Sequence, residues 1–490
     1  MKRFVIPAVL AALILSVAAV TLGGLNQDEG WYLYAARLVG EGRMPYRDFA
    51  YTQGPLMPVV YSVFAFVWNS FGLLGARMLT VSIGLAGCLL AVALARLLAP
   101  EGRKDAAGVV VFMLLACNLY HLYYVAIPKT YALAALFAIG GFHLLAKSVL
   151  SGGRTRAAFA FAAGLALAFA AGTRISLGAL LAAGGFALLF SFRRFRWTFL
   201  WFGIGGVLGL ALVYGPFVVD SGAFAGLVAA QKYHAARGGF SPVFVVGSLS
   251  RLVRWYLPVF ILFGLGVGRV PKSDTRFILT TTLVGFLAVF GVQMLAPFPY
   301  EDYQVPIVGL LAVVAAELAV SRAADTGRIV LLTLGLAFAS SFGSPLLERW
   351  STDGQDRFWT LRKEKPELFL LKDAAREVER LDPGGDTLLT QDLYLAIETG
   401  RKVPDGLEMG PFSQLEMDDW RRLLDSAPSP VTAISGYSFA VKPPTCSERS
   451  AEEQGELRAI VDRRYELEST IERFGQNATT LGIYRRRTGR

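Results

Sequence analysis

The chain has 490 residues, 54% hydrophobic and 18% charged, with a mean hydropathy of +0.47, which excludes an ordinary soluble protein. Its net charge of +10 is uneven: residues 1–345 carry 26 Lys+Arg against 12 Asp+Glu, and the remainder 22 against 26. The basic excess therefore belongs to the apolar part, where it reports membrane topology rather than nucleic-acid binding.

Met1-Lys2-Arg3 followed by an apolar run to Leu25 resembles the start of a signal peptide, but the run is too long for an h-region and reads as an uncleaved anchor. With this segment, 4–25, further apolar runs at 75–98, 107–124, 130–147, 157–173, 175–192, 197–219, 246–268, 276–296, 304–321 and 328–345 make about eleven helical spans. The connectors Lys2/Arg3, Arg96/Arg103/Lys104, Lys147/Arg154/Arg156, Arg193/Arg194/Arg196, Arg269/Lys272/Arg276 and Arg322/Arg328 then fall on one face, which the positive-inside rule makes cytoplasmic. Pro55–Gly72 is apolar enough to suggest a twelfth span, but crossing there would move every later basic cluster outside. It is placed in the outer interface instead, where Tyr61, Phe64, Trp68 and Phe71 suit the headgroup boundary.

The expected fold class is an α-helical polytopic membrane protein with interfacial helices over 1–345 and a small C-terminal α/β soluble domain over 346–490. Eleven spans put the N-terminus on the inner side of the membrane and this domain on the outer side. In the tail, helical periodicity covers Leu371–Leu381, a strand-like stretch Thr387–Thr390, and a helix Leu393–Thr399 that Gly400 stops. A strand at Val431–Ser435, an amphipathic helix near Glu452–Val461 and a closing strand Leu481–Arg485 follow.

Ionisable groups near a bilayer are costly and tend to mark function. Seven of the 12 acidic residues of the apolar part lie on or near outer connectors: Asp28, Glu29, Glu41, Asp48, Asp220, Glu301 and Asp302. The densest group is in the first outer connector, within loop 26–74. A helix beginning near Asp28 and ending at Gly40 places Trp31, Tyr34, Ala35 and Leu38 on one face, as an amphipathic outer helix. On spacing alone, Asp28 can be its N-cap and Glu29 a partner of its dipole.

Asp28-Glu29, then Tyr34, Ala35, Arg37, Gly42, Pro45, Tyr46, Arg47 and Asp48, then Gln53-Gly54-Pro55, resemble the first outer loop of the GT-C glycosyltransferases, in particular the family 39 and aminoarabinose-transferase-like branch, which includes protein mannosyltransferase-like enzymes. The resemblance implies an inverting transfer of a sugar from a polyprenyl-phosphate donor to a lipid, glycan or protein acceptor. It puts the acceptor's base or orienting carboxylate on Asp28, with Glu29 as a supporting or metal-facing neighbour. It further implies a donor and acceptor pocket formed by Tyr34, Arg37, Tyr46, Arg47, Asp48, Gln53 and the connector Tyr300, Glu301, Asp302 and Tyr303. A divalent metal ion is compatible with the acidic groups.

A departing polyprenyl phosphate is a stabilised anion, so such a transfer needs one carboxylate for the acceptor's proton and cations for the phosphate. Arg174, between two apolar runs, is the first candidate, because a guanidinium can grip phosphate with two hydrogen bonds. Lys129, in the tight Ile127-Pro128-Lys129-Thr130 turn, is the second. His121, with Tyr120, Tyr123 and Tyr124, reads as part of an aromatic belt. The connector Asp220–Pro242, with Lys232, Tyr233, His234 and Arg237, resembles a loop that closes over lipid-linked donors. A transporter or flippase of lipid-linked saccharides is the alternative, but it requires polar groups in mid-membrane on broken, repeated helices.

Overall fold

In the computed structural model, residues 2–236, 240–266, 273–342, 365–442 and 447–487 are described. The apolar part begins with α1 (Lys2–Leu22), α2 (Gln27–Gly40), α3 (Leu56–Ser62), α4 (Ala65–Leu98), α5 (Lys104–Ala116), α6 (Leu119–Ala126), α7 (Thr130–Leu150) and α8 (Gly153–Thr173). It continues through α9 (Gly178–Phe190), α10 (Phe192–Val219), α11 (Ser221–Ala236), α12 (Pro242–Trp255), α13 (Leu257–Gly266), α14 (Ser273–Met294), α15 (Val305–Arg322) and α16 (Thr326–Phe342).

Among the described residues, 7 of these helices are long and apolar enough to cross a membrane, and counting the bent pairs α5/α6 and α12/α13 as one span each gives 9. The shorter apolar helices α9 and α16 occupy the two remaining predicted spans. The bent pairs turn by 67° and 81°, which frees backbone groups that lipid cannot satisfy. Side chains meet part of that need. Asn118, at the first break, accepts from His121 N at 3.1 Å and donates to Trp255 O, at the second break, at 2.9 Å. Ser340 Oγ donates to the same carbonyl at 2.7 Å.

Pro55–Gly72 folds as α3 and the first turns of α4. Gly72 divides them from the long run of α4 with φ 60° and ψ −152°, a conformation that suits glycine and few other residues. Val63, Phe66 and Phe71, between 65% and 70% exposed, leave this segment with an apolar outer face.

The C-terminal part is built from α17 (Glu367–Leu381), α18 (Leu393–Thr399), α19 (Met417–Ser426) and α20 (Ala451–Arg464). Its strands are β1 (Val431–Ser435), β2 (Val441–Lys442), β3 (Ser447–Glu448), β4 (Tyr465–Phe474) and β5 (Thr479–Arg486). β1, β5 and β4 form an antiparallel sheet in that order, with Ala433 opposite Ile483 and Ile471 opposite Leu481. The predicted Leu371–Leu381 and Leu393–Thr399 helices, the first and closing strands and the Glu452–Val461 helix are all present. Thr387–Thr390 makes only isolated bridges, Thr387 to Lys402 and Leu389 to Thr432. The predicted boundary at 345/346, like Arg269, Lys272 and Arg237, lies outside the described residues.

The expected amphipathic helix of the first connector is covered on both sides. Trp31, Tyr34, Ala35 and Leu38 are buried as the pattern requires, but so are Glu29, Tyr32, Leu33 and Ala36. α18 lies directly on α2, so close that a Cβ on Gly30 would strike the backbone of Leu393 and Tyr394. One hydrophobic core therefore runs from Leu25, Trp31 and Tyr61 into Leu371, Ile397 and Ile483, separate from the core inside the bundle.

Candidate functional site

α2 starts with a capping box. The Asn26 side chain accepts from Asp28 N at 3.0 Å, and Glu29 Oε1 accepts from Asn26 N at 2.9 Å. Glu29 is also committed to Arg77 of α4, both side chains being fully buried. Arg77 gives Glu29 two parallel bonds, 2.7 Å from Nε and 2.6 Å from one terminal nitrogen, and its remaining donors reach the carbonyls of Val20, Gly23 and Gly24 at 2.8–3.1 Å. The guanidinium thereby ties the end of α1 to the start of α2 and α4. Glu29 holds this corner, and Asp28, one residue earlier, points elsewhere.

Asp28 Oδ2 lies 2.7 Å from Lys129 Nζ, and Trp31 Nε1 donates to Asp28 Oδ1 at 3.0 Å. Lys129, from the turn before α7, also reaches Asp302 Oδ2 at 3.2 Å, and Tyr131 OH donates to that same oxygen at 2.8 Å. Burial alone pulls the Lys129 ammonium down, and the neighbouring Asp28, Tyr131 and Asp302 more than reverse this, holding it well above the ordinary lysine value. The ammonium therefore stays charged. Tyr32 lies beside the same groups; burial, reinforced by Asp28, lifts its phenol well above the ordinary tyrosine range, so it remains protonated.

Arg174, 8% exposed, caps α8 with its guanidinium 4.4 Å from the Tyr303 ring centre and 5.3 Å from that of Tyr131. Lys129 Nζ lies 4.7 Å from the Tyr131 ring centre, so one phenol ring adjoins both cations. Unlike Lys129, Arg174 has no carboxylate partner among the described residues. It lines a cavity of 310 Å³ with Thr52, Gln53, Ser176, Gln231, Gln293 and Tyr303. A second, mostly apolar cavity of 500 Å³ shares Ile175 and Gln231 with it and runs along Leu210, Tyr214 and Val228.

The other predicted site residues divide into three groups. Gln53 reaches the cavity, and Tyr46, whose φ is 66°, donates to its carbonyl. Arg47 and Asp48 form a turn: Asp48 accepts from Met44 N at 2.6 Å and pairs with Arg47 at 2.9 Å, and Arg47 reaches Asp220 at the head of α11 at 3.1 Å. The structure does not bring Tyr34 and Arg37 to this cluster. Tyr34 OH accepts from Val403 N at 2.9 Å and Arg37 donates to Arg401 O at 2.9 Å, so both face the C-terminal part.

Of the late connector, Asp302 and Tyr303 join Lys129 and Arg174, whereas Glu301 pairs with Arg251 of α12 at 3.0 Å. Tyr300 stands outside, 44% exposed, against Phe244 and Phe298. His121 is buried, 3.1 Å from Tyr256 OH. The side chains of Tyr233 and His234 lie outside the described residues.

A divalent ion fits this arrangement poorly. The ammonium of Lys129 already stands between Asp28 and Asp302, and among the described residues no three Asp, Glu, His or Cys side chains converge for a metal. Arg77, Tyr32, Tyr131, Gln231 and Gln293 were not singled out by sequence reasoning. An arginine in an otherwise apolar run was the signal that could have drawn attention to Arg77.

Among solved structures, ArnT from Cupriavidus metallidurans in the apo state superposes with a TM-score of 0.65 at 12% identity, over 98% of this chain and 98% of that one. The chain has the GT-C fold. The crystal structure of ArnT from Cupriavidus metallidurans bound to undecaprenyl phosphate aligns with a TM-score of 0.61 at 14% identity, over 99% of this chain and 98% of that one. No family model and no curated protein matches the sequence. The superposition takes in both the helical bundle and the C-terminal part. The multi-pass membrane architecture expected from the apolar runs is therefore met.

Proposed function

We propose that the protein transfers a sugar from a polyprenyl-phosphate carrier to an acceptor at the periplasmic face of a bacterial inner membrane, with inversion at the anomeric carbon. The observation that carries this reading is Arg174: a buried guanidinium with no carboxylate partner among the described residues, held between two phenol rings at a cavity beside the Asp28–Lys129–Asp302 cluster. Such a group suits an anion that arrives from outside the protein. The adjoining apolar cavity offers a path for a prenyl chain. Undecaprenyl phosphate in the related ArnT structure supports the same ligand class here.

In this mechanism the donor phosphate sits on Arg174, with Lys129 at its edge. An acceptor hydroxyl attacks the anomeric carbon as the bond to the phosphate oxygen breaks. Asp28 takes the hydroxyl proton, and the polyprenyl phosphate leaves as an anion held by the two cations. When the phosphate draws on the positive charge of Lys129, Asp28 loses part of its counter-ion and becomes a better base, so donor binding and base activation are linked. Glu29 and Arg77 position Asp28 through the capping box. Tyr34 and Arg37 act through the docked C-terminal part rather than on the donor.

In liposomes containing a lipid-linked sugar donor, Asp28→Asn is expected to lower kcat by about 10²–10⁴-fold while the folded protein still binds undecaprenyl phosphate at least as tightly as the wild type. Transfer at the wild-type rate by that variant would remove Asp28 as the base.

A further inference from the structure

The cavity beside Arg174 contains two amides whose hydrogen-bonding capacity is not used. Gln293, from α14, is 3% exposed; its Nε2 donates to Ser176 Oγ at 3.2 Å, but its Oε1 is buried with no partner among the described residues. Gln231, from α11, has a buried Nε2 with no partner among the described residues. Both line the cavity with Gln53, Thr52 and Ser176. Leaving buried amide atoms unpaired is costly, so two such groups facing one cavity indicate a polar ligand that completes them.

The charge of the lining restricts which ligand. No Asp or Glu lines the cavity among the described residues. Carboxylates beside the cavity are engaged elsewhere: Asp28 and Asp302 share the single ammonium of Lys129, and Glu301 pairs with Arg251. Arg174 is the only charged group in the described lining. A protonated amino sugar would bring an ammonium, which only donates: Gln293 Oε1 can accept from it, but the guanidinium and the Gln231 N–H cannot, and no carboxylate in the described lining balances its charge. Hydroxyl groups both donate and accept, so they suit either orientation of the amides.

We infer that Gln293 and Gln231 form the subsite for the transferred sugar and that it takes an uncharged, hydroxyl-bearing pentose or hexose rather than an amino sugar. This rests on the transferase reading and adds the substrate class to it. The phosphate lies on Arg174, the prenyl chain follows the apolar cavity beyond Ile175, and the sugar ring faces α14.

The test measures affinities of the full chain in lipid nanodiscs for undecaprenyl phosphate alone, for the same carrier bearing glucose, mannose or arabinose, and for the carrier bearing aminoarabinose. At least one uncharged sugar is expected to tighten binding about tenfold over the bare carrier, and aminoarabinose to add nothing. Gln293→Leu should remove that gain while the bare carrier still binds, with Gln231→Leu as the second variant if the first does not assemble. Gln293→Glu should shift the gain to the aminoarabinose carrier. The inference is overturned if the bare carrier binds but no uncharged sugar adds affinity, or if the gain survives both leucine variants. Failure of the bare carrier to bind at all would overturn the transferase reading itself, and this inference with it.

Discussion

A buried guanidinium in an apolar setting must find compensating charge or destabilise the fold. Arg77 and Arg174 represent the two solutions. Arg77 is matched by Glu29 and three carbonyls, so its charge is spent on architecture. Among the described residues Arg174 has no carboxylate in hydrogen-bond contact and lies against the faces of Tyr131 and Tyr303, which return part of the desolvation cost, about 2 kcal/mol or more for a desolvated cation–π contact. This difference has a measurable consequence. Arg174→Leu is expected to raise the thermal midpoint of the donor-free protein by a few degrees while weakening undecaprenyl phosphate binding roughly 10–100-fold. Arg174→Lys, which keeps charge but lacks the planar fork, should fall between the two. A leucine variant that lost stability and kept its affinity would assign Arg174 to structure instead.

At the level of elements, the site stands where α2, the turn before α7, the end of α8 and the start of α15 meet. Asp28, Lys129, Arg174 and Asp302 were legible in the sequence because charged residues are sparse in an apolar chain and these four fall at helix ends. Arg77, Gln231 and Gln293 were not, since a residue inside an apolar run shows its partner only once the helices pack. The helix periodicity of α2 identified its core face but not the second cover supplied by α18, which is more than 350 residues away in the chain. β4 was missed for a different reason: its exposed positions, Glu466, Leu467, Glu468, Thr470, Glu472 and Arg473, blur the alternation that marks a half-buried strand. The Glu29–Arg77 pair offers a test at this scale. Removing one member of a buried pair costs about 3–5 kcal/mol, and Arg77 also holds three carbonyls. Arg77→Met is therefore expected to reduce the folded yield more than Glu29→Gln. Among molecules that do assemble, Glu29→Gln should lower kcat through a displaced Asp28 and leave the donor KM nearly unchanged.

The whole molecule is held together by a polar seam as well as by the shared core. Glu367 accepts from Leu25 N at 2.5 Å, Glu398 accepts from Leu73 N at 2.7 Å beside the Gly72 break, and Gln476 accepts from Gln27 N at 2.7 Å. At the centre of the seam, Asp392 is 1% exposed and receives Tyr394 OH at 2.8 Å and Gln27 Nε2 at 3.1 Å on one oxygen, while its other oxygen is buried with no hydrogen-bond partner among the described residues. Burial raises the carboxyls of both Asp392 and Glu398 above their ordinary values of 3.8 and 4.5. Each then favours its neutral form in the docked state and its charged form once undocked. Below the ordinary values both states are protonated and nothing is lost. As pH rises from there through the raised values, the undocked state gains by releasing its proton first, so docking weakens and then levels off. Asp392→Asn keeps the acceptor for Tyr394 and Gln27 and removes the titration. Its thermal midpoint is expected to exceed that of the wild type at pH 8 and to approach it at pH 4.5. Because α18 rests on the helix that carries Asp28, limited proteolysis between the bundle and the C-terminal part should follow the same pH trend in the wild type and a shallower one in the variant, where Glu398 alone still titrates. A gap between the two proteins that stays constant with pH would show that the Asp392 carboxyl does not set the strength of the seam.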